Sequence, residues 1–286
     1  MQAAESLAHA ALDEGVTTAK KKVRRHRQLV LTLRILFAAV MLGSWELLSR
    51  TKTIDPFFFG RPSEIGTKIW HWATVGTPDG PLWNQVWITL EEALLGFGIG
   101  VGAGIIFGLA LGRIRLLAEV LGPYIKAANS IPRVVLGSIF IIWLGLGLPS
   151  KVALAFVLVF FVVFFNAFQG VREVNEDVIA NARILGASRT KVTTQVVLPS
   201  ALTWIIASLH TSFGFALVGA VVGEFIGSIH GLGHLIAFAQ GTFDTNGVFA
   251  AMAILAVIAL AAEFLITTLE NRLITWRPNR RDEVAL

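Results

Sequence analysis

Among the ionisable side chains that lie inside long apolar runs of the sequence, where an ionised group is costly, we single out Lys126, Arg133 and Glu224. Leaving such a group in hydrocarbon costs roughly 3 kcal/mol or more, so each is a candidate functional residue. Lys126 and Arg133 would attract an anionic solute, and Pro132 would interrupt their helix beside a pathway. The alternatives are structural: Lys126 can snorkel inward, Arg133 can reach the outer headgroups or a glutamate, and Glu224 can form a salt bridge or hydrogen bond.

A pair of histidines, His230 and His234, has the four-residue spacing that places two side chains on one helix face, as in some metal sites. Glu224 is the only carboxylate close by, and Asp244 follows ten residues after His234. Because so few metal-ligating side chains lie near the two histidines, we interpret them as ordinary interfacial residues and predict no metal site. The chain has no cysteine, which excludes disulfides, a thiol nucleophile and a cysteine-based metal site.

The composition is that of a membrane protein. Of the 286 residues 55% are hydrophobic and 15% are charged, and mean hydropathy is +0.69. Soluble domains carry about a quarter charged residues. The net charge of +5 does not indicate nucleic-acid binding, because the basic residues flank apolar runs instead of alternating with aromatic residues on a polar surface.

Six apolar runs predict an all-α, polytopic membrane protein with about six transmembrane helices. The predicted spans are residues 29–48, 83–111, 116–144, 152–170, 201–226 and 248–276. The third is interrupted at Ile131-Pro132, and Lys126 and Arg133 lie about 15 and 25 Å along it at 1.5 Å per residue. A short interfacial helix is predicted over residues 62–72, with Trp70 and Trp72 at the headgroups.

The distribution of basic residues predicts the orientation. With the N-terminus in the cytoplasm, cytoplasmic segments hold sixteen lysines and arginines and external segments hold five, Lys151 among them. Both termini are therefore predicted to be cytoplasmic. We divide the chain into an N-terminal tail (1–28) whose basic block contacts anionic lipid, a transmembrane domain (29–276) and a C-terminal tail (277–286).

One polar segment, residues 178–199, separates the fourth and fifth spans. Asn175 can cap a first helix, and Gly186 is placed to end it in a left-handed conformation. Ser188 can cap a second helix, which Pro199 would close before the next span. We predict a helix–turn–helix outside the bilayer; an amphipathic loop resting on the headgroups is the alternative.

The motifs of this segment resemble the cytoplasmic loop of binding-protein-dependent ABC importer permeases. The matching residues are Ala180, Asn181, Ala182, Gly186, Ala187, Ser188, Leu198 and Pro199. The signature begins with Glu-Ala, where this chain has Ala180-Asn181. Further resemblance, to the nitrate, sulfonate and taurine subfamily, lies at 59–63, at 130–132 with 142–147, at 223–225 and at 231–236, so it extends over about residues 57–276.

The resemblance implies a permease subunit, with no enzymatic activity of its own, for a small solute such as nitrate, a sulfonate, taurine or a related small organic solute. It implies a second permease copy, two ATPase subunits docked on the coupling loop (172–199) and an extracytoplasmic solute-binding protein, in the bacterial inner membrane. ATP and Mg would be bound by the ATPase subunits, and no cofactor by this chain. Gly60…Gly66-Thr67-Lys68 has the wrong spacing for a phosphate-binding loop.

Two other classes of protein remain as alternatives. An ATP-independent secondary transporter or channel predicts inverted repeats with matching acids or broken helices in each half, and the sequence contains no such repeat. A membrane enzyme predicts a convergent nucleophile, base or metal cluster, which the sequence also does not indicate. Neither class requires the polar helix–turn–helix.

Overall fold

The computed structural model describes residues 2–174 and 176–273, which are almost entirely helical. The helices are α1 (Gln2–Arg50), α2 (Pro56–Phe59), α3 (Pro62–Thr74), α4 (Leu82–Arg113), α5 (Arg115–Ser130), α6 (Leu136–Leu144), α7 (Leu148–Arg172), α8 (Glu176–Ile184), α9 (Arg189–Val192), α10 (Leu198–Gly227), α11 (Leu232–Gly241) and α12 (Thr245–Leu273). Asn175 and the predicted C-terminal tail lie outside the described residues.

The helices confirm an all-α membrane architecture with about six spans. Five are long and apolar enough to cross a bilayer: Val23–Arg50 within α1, α4, α7, Thr190–Gly227 and Thr245–Glu270. α5 and α6 make a sixth if counted together, although they are bent by 73°. The bend falls at the predicted break, because Pro132 disfavours a helical residue before it and Ile131 is extended (φ −72°, ψ 129°).

The chain forms two compact units, one ending at Gly66 and one beginning at Thr67. Within the first unit, Glu46 near the end of α1 binds the first turn of α3. Its carboxylate accepts hydrogen bonds from the Ser63 N–H (3.0 Å) and hydroxyl (2.8 Å) and pairs with Arg50 Nε at 2.6 Å. An acid in this position suits the positive end of a helix.

The core of the second unit is built on α7, against which α4 packs in parallel. Every fourth residue of α4 facing α7 is glycine: Gly96, Gly100, Gly104, Gly108 and Gly112. A Cβ at the first of these would lie 2.4 Å from the Ala155 Cβ, so only glycine allows this approach. Gly98 and Gly102, on another face of α4, have no neighbour within 4 Å of a Cβ position.

α10 packs antiparallel on α7, again through small residues. A Cβ at Gly219 would lie 2.5 Å from the Ala155 Cα, and one at Gly170 would lie 2.9 Å from the Ala201 Cα. Three helices thus pack closely along their length and leave little freedom to shift relative to one another.

Two tryptophans at the end of α3 differ in environment. Trp70 is 71% exposed, but Trp72, predicted at the headgroups, is buried at 4%. Lys68 Nζ lies 5.9 Å from the Trp72 ring centroid and 2.6 Å from Asp244 Oδ2. Tertiary packing therefore uses Trp72 as a core residue.

Candidate functional site

The segment between α7 and α10 is a helix–turn–helix, as predicted. Gly186 has φ +82°, and its N–H donates to the Arg183 carbonyl at 2.9 Å. The Ala187 N–H donates to the Ala182 carbonyl at 2.9 Å, which completes a glycine-terminated helix end. The Ser188 hydroxyl accepts from the Lys191 N–H at 3.3 Å and caps α9.

The second helix does not end at Pro199, and that part of the prediction is wrong. α9 continues through a π-helical turn, Thr193–Val197, into α10, with Pro199 in the first turn of α10. A proline is tolerated there because the wider i→i+5 pattern of the preceding turn relaxes the need for its missing N–H. The second helix of the loop is therefore continuous with the fifth span.

Large apolar side chains lie exposed at the tip of the loop. Ile184 is 81% exposed and Leu185 is 87% exposed. Of the resemblance residues, Ala180, Asn181 and Ala182 lie on α8; Gly186, Ala187 and Ser188 form the turn; and Leu198 and Pro199 begin α10. Exposed apolar residues on a capped, regular element are typical of a surface that binds a partner.

The predicted pathway residues Lys126, Pro132 and Arg133 all lie on the broken third span. Lys126 is exposed on α5, and Pro132 lies at the bend. The Arg133 guanidinium carbon lies 4.7 Å from the Phe161 ring centroid, and Nη2 donates to Asn129 Oδ1. Arg133 thus contacts α7 by a cation–π interaction, and within the described residues it forms no ion pair with a glutamate.

Glu224 belongs to a different region, a buried polar cluster at the far end of α10. We call Gln85, Thr89, Glu92, Lys151 and Glu224 the buried junction; each is at most 3% exposed. Thr89 Oγ1 donates to Glu224 Oε1 at 2.7 Å. Lys151, predicted in an external turn, is instead buried beside the two carboxylates, and its ammonium donates to the Leu146 carbonyl. The junction therefore joins α4, α7 and α10.

The junction also holds the loop that leads into α11. The N–H groups of Gly231 and Leu232 donate to Gln85 Oε1 (2.7 Å) and Thr89 Oγ1 (2.9 Å). The Gly233 N–H donates to Glu224 Oε2 at 2.6 Å. Gly231 has φ +100°, and a Cβ there would lie 2.1 Å from Glu224 Oε1, so the close approach requires glycine.

Sequence reasoning identified only Glu224 in this cluster. Gln85, Thr89 and Glu92 lie in an apolar run, but their spacing of four and three residues puts them on one face of α4. That polar stripe in a predicted span was the signal that could have revealed them. A second link was also missed: His210 on α10 lies 2.8 Å from Glu263 Oε1 and 2.9 Å from Glu270 Oε2, both on α12.

The two histidines after α10 have no shared role in the structure. His234 Nε2 lies 3.4 Å from Asp79 Oδ2, while His230 precedes α11 on an exposed turn. The arrangement of His234 is therefore that of a half-buried pair with a single carboxylate.

Comparison with known proteins assigns the family. Residues 100–275 match the family described as the binding-protein-dependent transport system inner membrane component. The chain is 33% identical to the riboflavin transport system permease protein RibX of Chloroflexus aurantiacus, over 83% of this chain and 87% of that protein. It is 31% identical to the taurine transport system permease protein TauC of Escherichia coli, over 86% and 90% respectively.

A third relative is the putative aliphatic sulfonates transport permease protein SsuC of Bacillus subtilis, 29% identical over 85% of this chain and 87% of that protein. The fold resembles that in the crystal structure of an amino acid ABC transporter with histidines (TM-score 0.55, 21% identity, 66% of this chain and 92% of that chain). The chain therefore belongs to the binding-protein-dependent transport system inner membrane components and is the permease subunit of an ABC importer.

Proposed function

We propose that the loop 172–199 docks one of two separate ATPase subunits and couples its movement to passage of a small solute through a dimer of this permease. The observation that carries the proposal is the exposed apolar tip, Ile184 and Leu185, on a helix–turn–helix. ATP and Mg would be bound by the ATPase subunits, and a solute-binding protein would deliver the solute from outside. The location is the bacterial inner membrane, with residues 1–28 and 277–286 as cytoplasmic tails.

The continuity of α9 with α10 supports a direct route for coupling. The loop tip is joined through the short turn Gly186–Ser188 to a single helical segment, Thr190–Gly227, which continues without a break into the fifth span. At its far end this segment is fixed by Glu224, and near its middle by His210. Movement of the ATPase would therefore rotate or tilt α10 together with the helices that these two residues contact. These are α4, through Glu224, and α12, through His210.

The third span supports a pathway for anions. Lys126 and Arg133 place two positive charges on α5 and just after it, with the break at Pro132 between α5 and α6. The relatives named for taurine and aliphatic sulfonates indicate a small anionic or zwitterionic solute. We assign Glu224 to the positioning of helix ends, because its carboxylate is 1% exposed and bonded on both oxygens.

The test is copurification. The wild-type permease, Leu185→Glu and Val75→Glu are purified with their bound proteins and assayed for ATP hydrolysis. Val75 is 75% exposed outside the loop and is the matched control. We expect an ATPase to accompany wild type and Val75→Glu, and at least a fivefold lower yield of it with Leu185→Glu.

Retention of the ATPase by Leu185→Glu would reject the loop tip as the docking surface. Purification of the wild type alone, with solute uptake into liposomes in the absence of ATP, would reject coupling and favour an ATP-independent transporter.

A further inference from the structure

A cavity of about 520 Å³ lies between α5 and α7. Its α5 wall includes Glu119 and Lys126, and its α7 wall consists of Phe164, Phe165, Phe168 and Arg172. The cavity therefore combines one aromatic wall with charged groups around it. Lys126 is among the pathway candidates, so an occupant of this space would lie beside the proposed route of the solute.

The aromatic wall has a defined geometry. Phe164 and Phe168, one helical turn apart, are nearly parallel at 18° with ring centroids 6.1 Å apart. Phe165 meets Phe164 edge to face, at 74° and 5.3 Å. Phe164 is buried and stacked between Phe160 and Phe168, whereas Phe165 and Phe168 are half-buried and line the cavity. An aromatic occupant therefore gains ring contacts with Phe165 and Phe168 that an aliphatic one does not.

The charges at the cavity favour an anion. Lys126 and Arg172 supply two positive charges against the one negative charge of Glu119. The Arg172 guanidinium carbon lies 5.3 Å from the Phe168 ring centroid, so the ring holds the cation beside the aromatic wall. An ionised acceptor such as a sulfonate or carboxylate makes charge-assisted hydrogen bonds with such groups.

The volume of the cavity favours an organic anion over a small inorganic one. Cavities of roughly 300–1,000 Å³ are typical of sites for organic molecules, and an inorganic anion such as nitrate would leave most of this one empty. We propose that the cavity binds the transported solute and that this solute is a planar aromatic sulfonate or carboxylate. The inference rests on the proposed function of the chain as a solute pathway and narrows its substrate class.

Equilibrium dialysis of the permease in phosphatidylcholine nanodiscs tests the proposal, with 2-naphthalenesulfonate as the probe. We expect saturable binding, weakened at least fivefold by Lys126→Gln and at least threefold by Phe165→Leu. The matched controls are Arg113→Gln, an exposed cation at the end of α4, and Phe264→Leu, a 73% exposed ring on α12; both should bind as wild type does.

Two further arms define the ligand. Cyclohexanesulfonate, which has the same charge and a similar ring but no aromaticity, should compete at least threefold less well than 2-naphthalenesulfonate, and sulfate should not compete at millimolar concentration. Nanodiscs containing phosphatidylglycerol should leave the binding unchanged. Loss of binding in those nanodiscs would overturn the proposal and identify the cavity as a site for an anionic lipid.

The proposal is also overturned if 2-naphthalenesulfonate does not bind saturably, or if Lys126→Gln and Phe165→Leu bind it as wild type does. Copurification of the ATPase with Lys126→Gln distinguishes the two hypotheses. If Lys126→Gln retains the ATPase but loses probe binding, both the coupling role of the loop and the proposed solute class are supported. If it retains the ATPase and binds the probe as wild type does, only the proposed solute class is rejected. Absence of an ATPase from the wild type rejects the proposed coupling.

Discussion

The two ends of α10 differ in how far their polar residues are exposed. At its start, the helix–turn–helix leaves its polar and apolar side chains exposed, with Leu185 at 87%. At its end, Glu224 is 1% exposed, and both of its carboxylate oxygens accept hydrogen bonds from neighbouring elements. Because an unpaired polar group costs most where water is absent, the buried end must satisfy its own groups, whereas the exposed end is free to bind a partner.

This difference separates what holds the permease together from what it offers to other proteins. The close approach of α4, α7 and α10 and the buried junction stabilise one end of α10 against its neighbours. The loop is defined mainly by its own caps, at Gly186 and Ser188. Substitutions at the buried end should therefore reduce stability, and substitutions in the loop should reduce association with the ATPase.

The largest effect is expected at the close-packed core. A Cβ at Gly100 would lie 2.7 Å from Val159 Cγ1 and 3.1 Å from the Phe156 carbonyl oxygen. Gly100→Leu should therefore separate α4 from α7 and abolish monodisperse protein in size-exclusion chromatography. Gly102→Leu, on the same helix with no neighbour within 4 Å, is the control and should elute as wild type. Equal behaviour of the two would contradict the assigned packing face.

The next effect is expected at the buried junction. Glu224→Ala removes the acceptor of Thr89 and Gly233 and leaves Lys151 buried with less compensation. Leaving two buried donors unsatisfied costs about 1–3 kcal/mol each, which corresponds to roughly 10 °C in melting temperature. Glu91→Ala, an exposed acid on α4, should change the melting temperature by less than about 2 °C. A similar small change in Glu224→Ala would show that the junction does not stabilise the fold.

A smaller effect is expected where α10 meets α12. His210→Ala removes two hydrogen-bonded contacts, to Glu263 and Glu270. We expect a loss of about 1–3 kcal/mol in thermal unfolding, less than for Glu224→Ala, because His210 is more exposed. His230→Ala, at an exposed position, should leave unfolding unchanged. If both variants unfold alike, the link between α10 and α12 contributes nothing to stability.

The smallest effect on stability is expected in the loop. Gly186→Ala places a side chain at φ +82°, which costs about 1–2 kcal/mol locally and should lower the melting temperature by less than about 2 °C. The yield of copurified ATPase should nevertheless fall, because the turn that presents Leu185 is disturbed. Gly66→Ala, with open space around the Cβ position, is the control. A large loss of stability in Gly186→Ala would contradict the independence of the two ends.

Features governed by neighbouring residues were predictable from the sequence. Apolar run length predicted the spans, Pro132 the break of 73° between α5 and α6, and Gly186 and Ser188 the two caps of the loop. The position of Pro199 within a continuous helix was not predictable in this way. A proline in the first turn of a helix and a proline that ends a helix differ only in the conformation of the turn before the proline.

The tertiary structure alone decided which polar residues meet. Lys151 was expected in an external turn, yet it is buried near Glu92 and Glu224, which come from other helices. Gly102 and Gly104 have the same chemistry and differ only in which face of α4 touches α7. Local chemistry sets where helices begin, bend and end, but side-chain partners depend on helix rotation and register, which are set by the packing of residues distant in the chain.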